Sequence, residues 1–360
     1  MKGLIYGIIY ILVVVYIFAF VIGKVNPDLS QDGSGKETVY LSKDAGQNWS
    51  LIETKERELM PISKNMIFGS EHPSSLYLAS TKGIFQIGEE KEESQKEGEL
   101  NNYSILRFIQ NPYDKNILYL IVNDSGNQKI LISYNQGQSF KEVFILEKND
   151  KISVFEIDPI LPSRLYLGTK NGLFLASENS GENWEQKHNF APQVISAIGV
   201  RETDGILFVS IGKTPFDLSF LINPPTTTPK PEIFFSKDGG VTFLTLDEGF
   251  DTSQINQNIP LKEIETDFKG KIYFIADNEI FYIHNNQALK LNIISAQKIQ
   301  DFTINPKNPN IIYIGVGNVL YKTVDGGTTW ETLQSPTKKP IREIKINSKE
   351  PNNILLSTIN

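Results

Sequence analysis

The chain has no cysteine, three histidines and three methionines in 360 residues. Without cysteine there are no disulfides, no thiol nucleophile, no thiolate metal site and no lipid-modified cysteine anchor. His72, His188 and His284 stand far apart without ligand spacing, so they read as surface residues rather than zinc ligands. Asn123-Asp-Ser-Gly-Asn127 lacks the full spacing and terminal glutamate of a calcium loop and reads as a turn. No metal or cofactor is therefore expected. The net charge of −7 comes with no dense basic stripe, which argues against nucleic acid as a partner. Helical periodicity is absent beyond residue 23, whereas 14 Tyr, 21 Phe and 18 Pro suit many short strands and turns.

What is present is a repeat. Five stretches share the form S/T-x-D/N-x-G-x-x-W/F. Their defining residues are Ser42, Asp44, Gly46 and Trp49; Ser133, Asn135, Gly137 and Phe140; Ser177, Asn179, Gly181 and Trp184; Ser236, Asp238, Gly240 and Phe243; and Thr323, Asp325, Gly327 and Trp330. The Asp or Asn side chain suits a turn in which it accepts backbone N–H bonds. The glycine supplies a positive φ, and the aromatic ring fills the gap beside a neighbouring sheet. The pattern is that of a structural staple. Asn at 135 and 179 fits this, because an amide accepts such bonds but cannot act as a general base.

The boxes begin at 42, 133, 177, 236 and 323, so the gaps are 91, 44, 59 and 87. These approximate two, one, one and two units of about 44 residues, the size of a four-stranded propeller blade. Both double gaps contain a unit without a box: Ser75 to Phe85 aligns with Arg164 to Phe174, and Lys271 to Phe281 follows the same strand–turn–strand course. A second signature is an alternating strand, an Asn/Asp-Pro loop and another strand, as in Phe108–Leu120, Phe155–Leu167 and Phe302–Ile314. Residues 341–360 form the first half of a unit, and Thr38 begins directly at a third strand. The two halves are expected to share one blade (37–52 with 341–360), closing the ring without an orphan edge. The expected fold is an all-β, seven-bladed propeller over 37–360, with six blades as the alternative.

Leu4 to Ile22 runs nineteen residues without a charge, nearly enough to cross a ~30 Å hydrocarbon core as a helix. The expected organisation is a short tail at 1–3, a transmembrane anchor at 4–23 and a flexible linker at 24–36. The alternatives are a cleaved signal, which would make the protein secreted, and a buried helix. Lys2 before the segment, against Lys24 with Asp28 and Asp32 after it, places the propeller on the extracytoplasmic side.

Together the boxes and the Asn/Asp-Pro hairpins resemble the Asp-box (BNR) propeller superfamily, over about residues 37–360. Its members include sortilin-like receptors, photosystem II assembly factors, xyloglucanases and sialidases. The resemblance implies the fold more firmly than the activity. Sialidases clamp a carboxylate with three arginines and carry a Phe/Tyr-Arg-Ile-Pro motif. Here none of Arg57, Arg107, Arg164, Arg201 and Arg342 sits in such a motif. A xyloglucanase-like hydrolase needs two opposed carboxylates. Asp301, Glu263 and Glu265 are candidates near strand starts facing the ring, though such enzymes typically carry two propellers. The expectation is a non-enzymatic scaffold for a protein or glycan ligand, monomeric as a propeller, with a cell-surface glycoside hydrolase as the alternative. A partner-binding loop is expected within 212–231, where Phe216, Leu218, Phe220, Leu221 and Ile222 precede a Pro/Thr segment. The acidic run Gly88–Glu99 is expected to be a solvated connector.

Overall fold

The computed structural model divides into residues 1–36 and 37–360. It describes residues 37–359 apart from 53–65, 69–75, 81–82, 88–93, 96–99, 101–102, 112, 115, 213–231, 256–260, 277 and 294–296. For the described residues within 66–95 only the backbone is described, except at Ile84, whose side chain is described too.

Strands β1 (Glu37–Ser42) and β2 (Ser50–Leu51) belong to the first blade. Next come β3 (Met66–Phe68), β4 (Leu76–Ser80), β5 (Gly83–Ile87) and β6 (Ser94–Gln95). The following blade comprises β7 (Ser104–Gln110), β8 (Leu118–Asp124), β9 (Asn127–Ser133) and β10 (Lys141–Leu146). After it stand β11 (Ile152–Ile157), β12 (Leu165–Thr169), β13 (Leu173–Ser177) and β14 (Glu185–Asn189). Then follow β15 (Val194–Val200), β16 (Leu207–Gly212), β17 (Glu232–Ser236) and β18 (Leu244–Thr245), with the short helix α1 (Leu246–Gly249). Two further blades hold β19 (Glu263–Thr266), β20 (Ile272–Ile275), β21 (Ile280–His284) and β22 (Gln287–Lys290), and β23 (Ile299–Ile304), β24 (Ile312–Val316), β25 (Val319–Thr323) and β26 (Glu331–Leu333). Finally, β27 (Ile341–Ile346) and β28 (Ile354–Ile359) return to the first sheet, whose order is β2-β1-β28-β27.

Apart from that first sheet, each is an antiparallel meander in chain order, so the second strand of each blade has neighbours on both sides and reads as a continuous apolar run. Strands β8, β12, β16, β20 and β24 are buried over most or all of their length. The core lies between sheets. One cluster joins Phe208 and Phe235 to Phe274, and another joins Tyr273 and Leu291 to Phe302 and Ile314.

Two parts of the expected architecture are corrected. Six blades, rather than seven, are defined with their side chains, and the described core falls into six clusters. The remaining sheet, β3-β4-β5-β6, is paired through its backbone, has outer strands of three and two residues, and adds Ile84 to its neighbour's core. This is a unit with no Asp box. The second correction concerns the membrane. No helix among the described residues is long and apolar enough to cross one; α1 has four residues. Residues 4–23 lie outside the described residues, as do the linker 24–36 and Phe216, Leu218, Phe220, Leu221 and Ile222.

Candidate functional site

The Asp boxes act through their hydroxyls as much as their acids. In each box the Ser or Thr hydroxyl donates to the Asp or Asn Oδ1, at 2.7–3.0 Å. The same oxygen accepts the glycine N–H at 2.7–2.9 Å. The Asp or Asn Oδ1 then accepts the backbone N–H four residues on, from Asn48, Ser139, Asn183, Thr242 or Thr329. The backbone N–H of Asn48 and, at the other two, the Thr242 and Thr329 hydroxyls foremost hold the exposed Asp44, Asp238 and Asp325 carboxyls down at about 2. Such oxygens are already committed to hydrogen bonds within the turn. At Gly240 (φ 93°) and Gly327 (φ 91°) any Cβ would collide with Phe174 and Leu291 of the preceding blade. The box is a wedge between blades.

The Asn/Asp loops between first and second strands are stitched to the boxes. The N–H groups of Ala45, Gln136, Ser180 and Gly326 donate to carbonyls of Asn352, Asn116, Ser163 and Asn310. Asn111, Asp158, Asp267, Asn305 and Asn347 each accept two backbone N–H groups of their own loop. These Asx turns carry exposed apolar side chains: Tyr113 (60%), Ile160 (46%), Leu161 (46%) and Phe268 (50%). The loops abut. A Cβ on Gly205 would lie 3.5 Å from Ile160, and one on Gly270 would strike Thr203. The Tyr113 phenol is pushed up, first by burial and then by the charges of Glu202 and Asp158. Three of these four successive blades thus present apolar tips along one arc.

A second constellation lies on the first strands. Bulges occur at Ile105/Arg107, Ile152/Val154, Ile195/Ala197, Ile299/Asp301 and Ile341/Glu343. Four residues before the loop Asn/Asp stand Arg107, Val154, Glu263, Asp301 and Glu343. Three successive blades therefore carry an acid at one register position. Asp301 and Glu343 are 4% and 3% exposed. Asp301 Oδ2 accepts the Ile344 N–H at 2.6 Å, and the Glu263 charge faces the same carboxyl. Burial foremost, then the Glu263 charge, raises the Asp301 carboxyl well above the usual carboxylate range. Lys345 Nζ stands 3.9 Å from Glu343 Oε1. Burial works against its charge, but Asp301, Glu343, Glu263 and Glu265 together hold the ammonium up.

Of the sequence candidates, Asp301 and Glu263 meet here, and Glu265 contributes its charge to the group around Lys345. Glu343 and Lys345 were missed; aligning the first strands on their loop Asn/Asp would have found them. Among the described residues no His/Cys/Asp/Glu group could hold a metal. His188 packs between Phe190 and Phe243, at 4.5 and 5.2 Å between ring centres, and is not a bare surface residue. Arg164 is spent on Glu178 (2.8 Å) and Asp158 (3.8 Å). A cavity of about 380 Å³ opens beside Thr332–Lys338 with Asn318 and Val319, and no carboxylate lines it.

No family model matches this chain, and no curated protein does. Solved structures do. A GH74 enzyme of Niastella koreensis has a TM-score of 0.63 at 14% identity, covering 89% of this chain and 52% of its own. The GH74 xyloglucanase of Xanthomonas campestris has 0.61 at 14%, covering 89% and 52%. YCF48 bound to a D1 peptide has 0.55 at 14%, covering 84% and 95%. The chain spans about half the length of the GH74 enzymes it matches. At such identity the likeness establishes a β-propeller and nothing of its chemistry.

Proposed function

We propose that this protein is a non-catalytic propeller that binds a protein partner on the loop arc of its Asp-box face. The observation that carries this reading is the arc itself: Tyr113, Ile160, Leu161 and Phe268 are held in solvent by Asx turns on abutting loops. Large apolar side chains on rigid loops are what protein interfaces use. The YCF48 likeness supports it, since a propeller that this chain covers over 95% of its length holds a peptide.

Hydrolysis is the second reading, favoured by the GH74 likeness. A glycosidase needs two carboxyls about 5–10 Å apart with the sugar between them. Asp301 is instead buried, with the Glu263 charge beside it and its Oδ2 taken by the Ile344 N–H.

The test pairs two measurements on the full chain. Cross-linking in its own cells, followed by mass spectrometry, should recover a partner whose cross-links map to residues 113–116, 158–164 and 267–271. The Tyr113→Ser/Phe268→Ser variant should lose that partner at least tenfold while melting like wild type. Xyloglucan incubated with the protein should release no reducing ends. Release that disappears in Asp301→Asn would replace the scaffold reading with the hydrolytic one.

A further inference from the structure

The apolar arc is broken at one loop, and the break is charged. Where the neighbouring loops present Ile160 and Phe268, the loop after β15 presents Glu202-Thr203-Asp204, all three exposed. This loop is held between its neighbours. A Cβ on Gly205 would lie 3.5 Å from Ile160, and one on Gly270 would lie 2.4 Å from Thr203. The Glu202 charge is felt by the Tyr113 phenol, and Glu202 in turn feels the charge of Asp267. Glu202 therefore stands among the apolar tips, not off to one side of them.

The basic groups of the same loops already have partners on their own blades. Arg164 lies on Glu178 and Asp158. Arg201 donates to Asp204 through Nε and Nη2, with its guanidinium 5.9 Å from the ring centres of Phe208 and Phe250. Lys269 lies over Phe268 at 5.7 Å and Lys271 over Tyr282 at 4.8 Å. The other acids are engaged too. Asp158 and Asp267 are buried under backbone N–H groups, and Asp114 accepts the Asn116 N–H and Nδ2. Glu202 has no hydrogen bond or ion pair among the described residues. Two other loops of the ring carry the opposite sign: two residues after their Asn stand exposed Lys307 and Lys349, where the arc has Tyr113 and Ile160.

Resting on the binding reading above, we propose that the arc takes a partner segment in which apolar side chains flank a lysine or arginine, the apolar groups lying on Tyr113, Ile160, Leu161 and Phe268 and the cation on Glu202. Loops crowded round Glu202, and then the Asp267 charge, disfavour its bare carboxylate. A cation seated there offsets both. An acidic segment would meet the same charges and be repelled. Arginine suits the site best, since its planar guanidinium pairs with a carboxylate and also stacks on aromatic rings such as those of Tyr113 and Phe268. Lys307 and Lys349 repel the same cation, which confines the segment to the loops from 111–117 to 267–271.

Panning a phage-displayed library of short random peptides on the immobilised full chain tests the surface and its charge separately. Wild type should enrich Lys or Arg over Asp or Glu between apolar residues by about fivefold, the upper range for an exposed ion pair. Glu202→Gln should abolish that preference and Glu202→Lys should reverse it. Both should keep the apolar preference and melt like wild type, because the side chain is exposed. Glu147→Lys changes an exposed acid on the connection between β10 and β11 and should leave the preference as it is. Binders that need Tyr113 and Phe268 but show no charge preference, or keep it in Glu202→Lys, overturn the basic partner and leave the docking arc standing. Binders indifferent to Tyr113→Ser/Phe268→Ser, or no binders at all, overturn both.

Discussion

Below about pH 4 the five Asp boxes should behave differently from one another, and the difference lies in single atoms. Asp44, Asp238 and Asp325 have carboxyls held down at about 2 by hydrogen bonds from Asn48, Thr242 and Thr329. A carboxyl lowered in the fold contributes stability above its unfolded value and loses it as pH falls through the folded one. Asn135 and Asn179 make the same backbone bond without a titrating group. Between pH 5 and 2 the Asn48, Thr242 and Thr329 amides should lose exchange protection, while those of Ser139 and Asn183 keep theirs. Uniform behaviour of all five would mean that the acid oxygens are not what closes the turn. The use of Asn in two boxes was legible from the sequence. The hydroxyl's double role was not, since a Ser or Thr before an Asx turn gives no sign that it also accepts the glycine N–H.

At the scale of the hairpin, each box aromatic serves the blade before its own. Trp184 stands 5.3 Å from Phe144 of β10, and Phe243 stands 5.5 Å from Phe174 of β13. Trp330 goes further: its Nε1 donates to the Asn292 carbonyl at 2.7 Å. The Trp49 and Trp184 Nε1 atoms are buried with no hydrogen-bond partner among the described residues. Replacing tryptophan by phenylalanine should therefore cost unequally. At Trp330 the change also removes the bond to Asn292 and should cost about 1–2 kcal/mol more than at Trp184. At Trp184 it also relieves an unmet donor. Denaturant titration of the two variants reads the difference, and equal losses would show that the Asn292 bond contributes nothing net. The blade unit was readable because strand, Asx loop and box recur at fixed spacing. The acid arc was hidden for a different reason. Glu263, Asp301 and Glu343 come together only when first strands of different blades are set side by side, and each is an ordinary acid within its own strand. The apolar tips Tyr113, Ile160 and Phe268 escaped notice likewise, because a residue after an Asn/Asp reads locally as part of a turn.

Across the whole molecule, the propeller depends on the pairing of its two ends. Strand β1 pairs with β28 along six positions, from Glu37 opposite Ile359 to Ser42 opposite Ile354. Trp49 and Tyr40 pack on the cluster that includes Ile341, Ile344, Ile354 and Leu356. Removing residues 341–360 takes away β27 and β28 together. It uncovers β1 as a bare edge, with unpaired N–H and C=O groups. It also deletes five fully buried aliphatic side chains, Ile341, Ile344, Ile354, Leu355 and Leu356. At roughly 1.5–3 kcal/mol each, that burial amounts to about 8–15 kcal/mol. A whole domain is stable by only about 5–15 kcal/mol. The truncated chain should lose its cooperative melting transition, and light scattering should show it associating through the exposed edge. A truncated protein that melts like the full chain and stays monomeric would show that the shared sheet is not what holds the propeller closed.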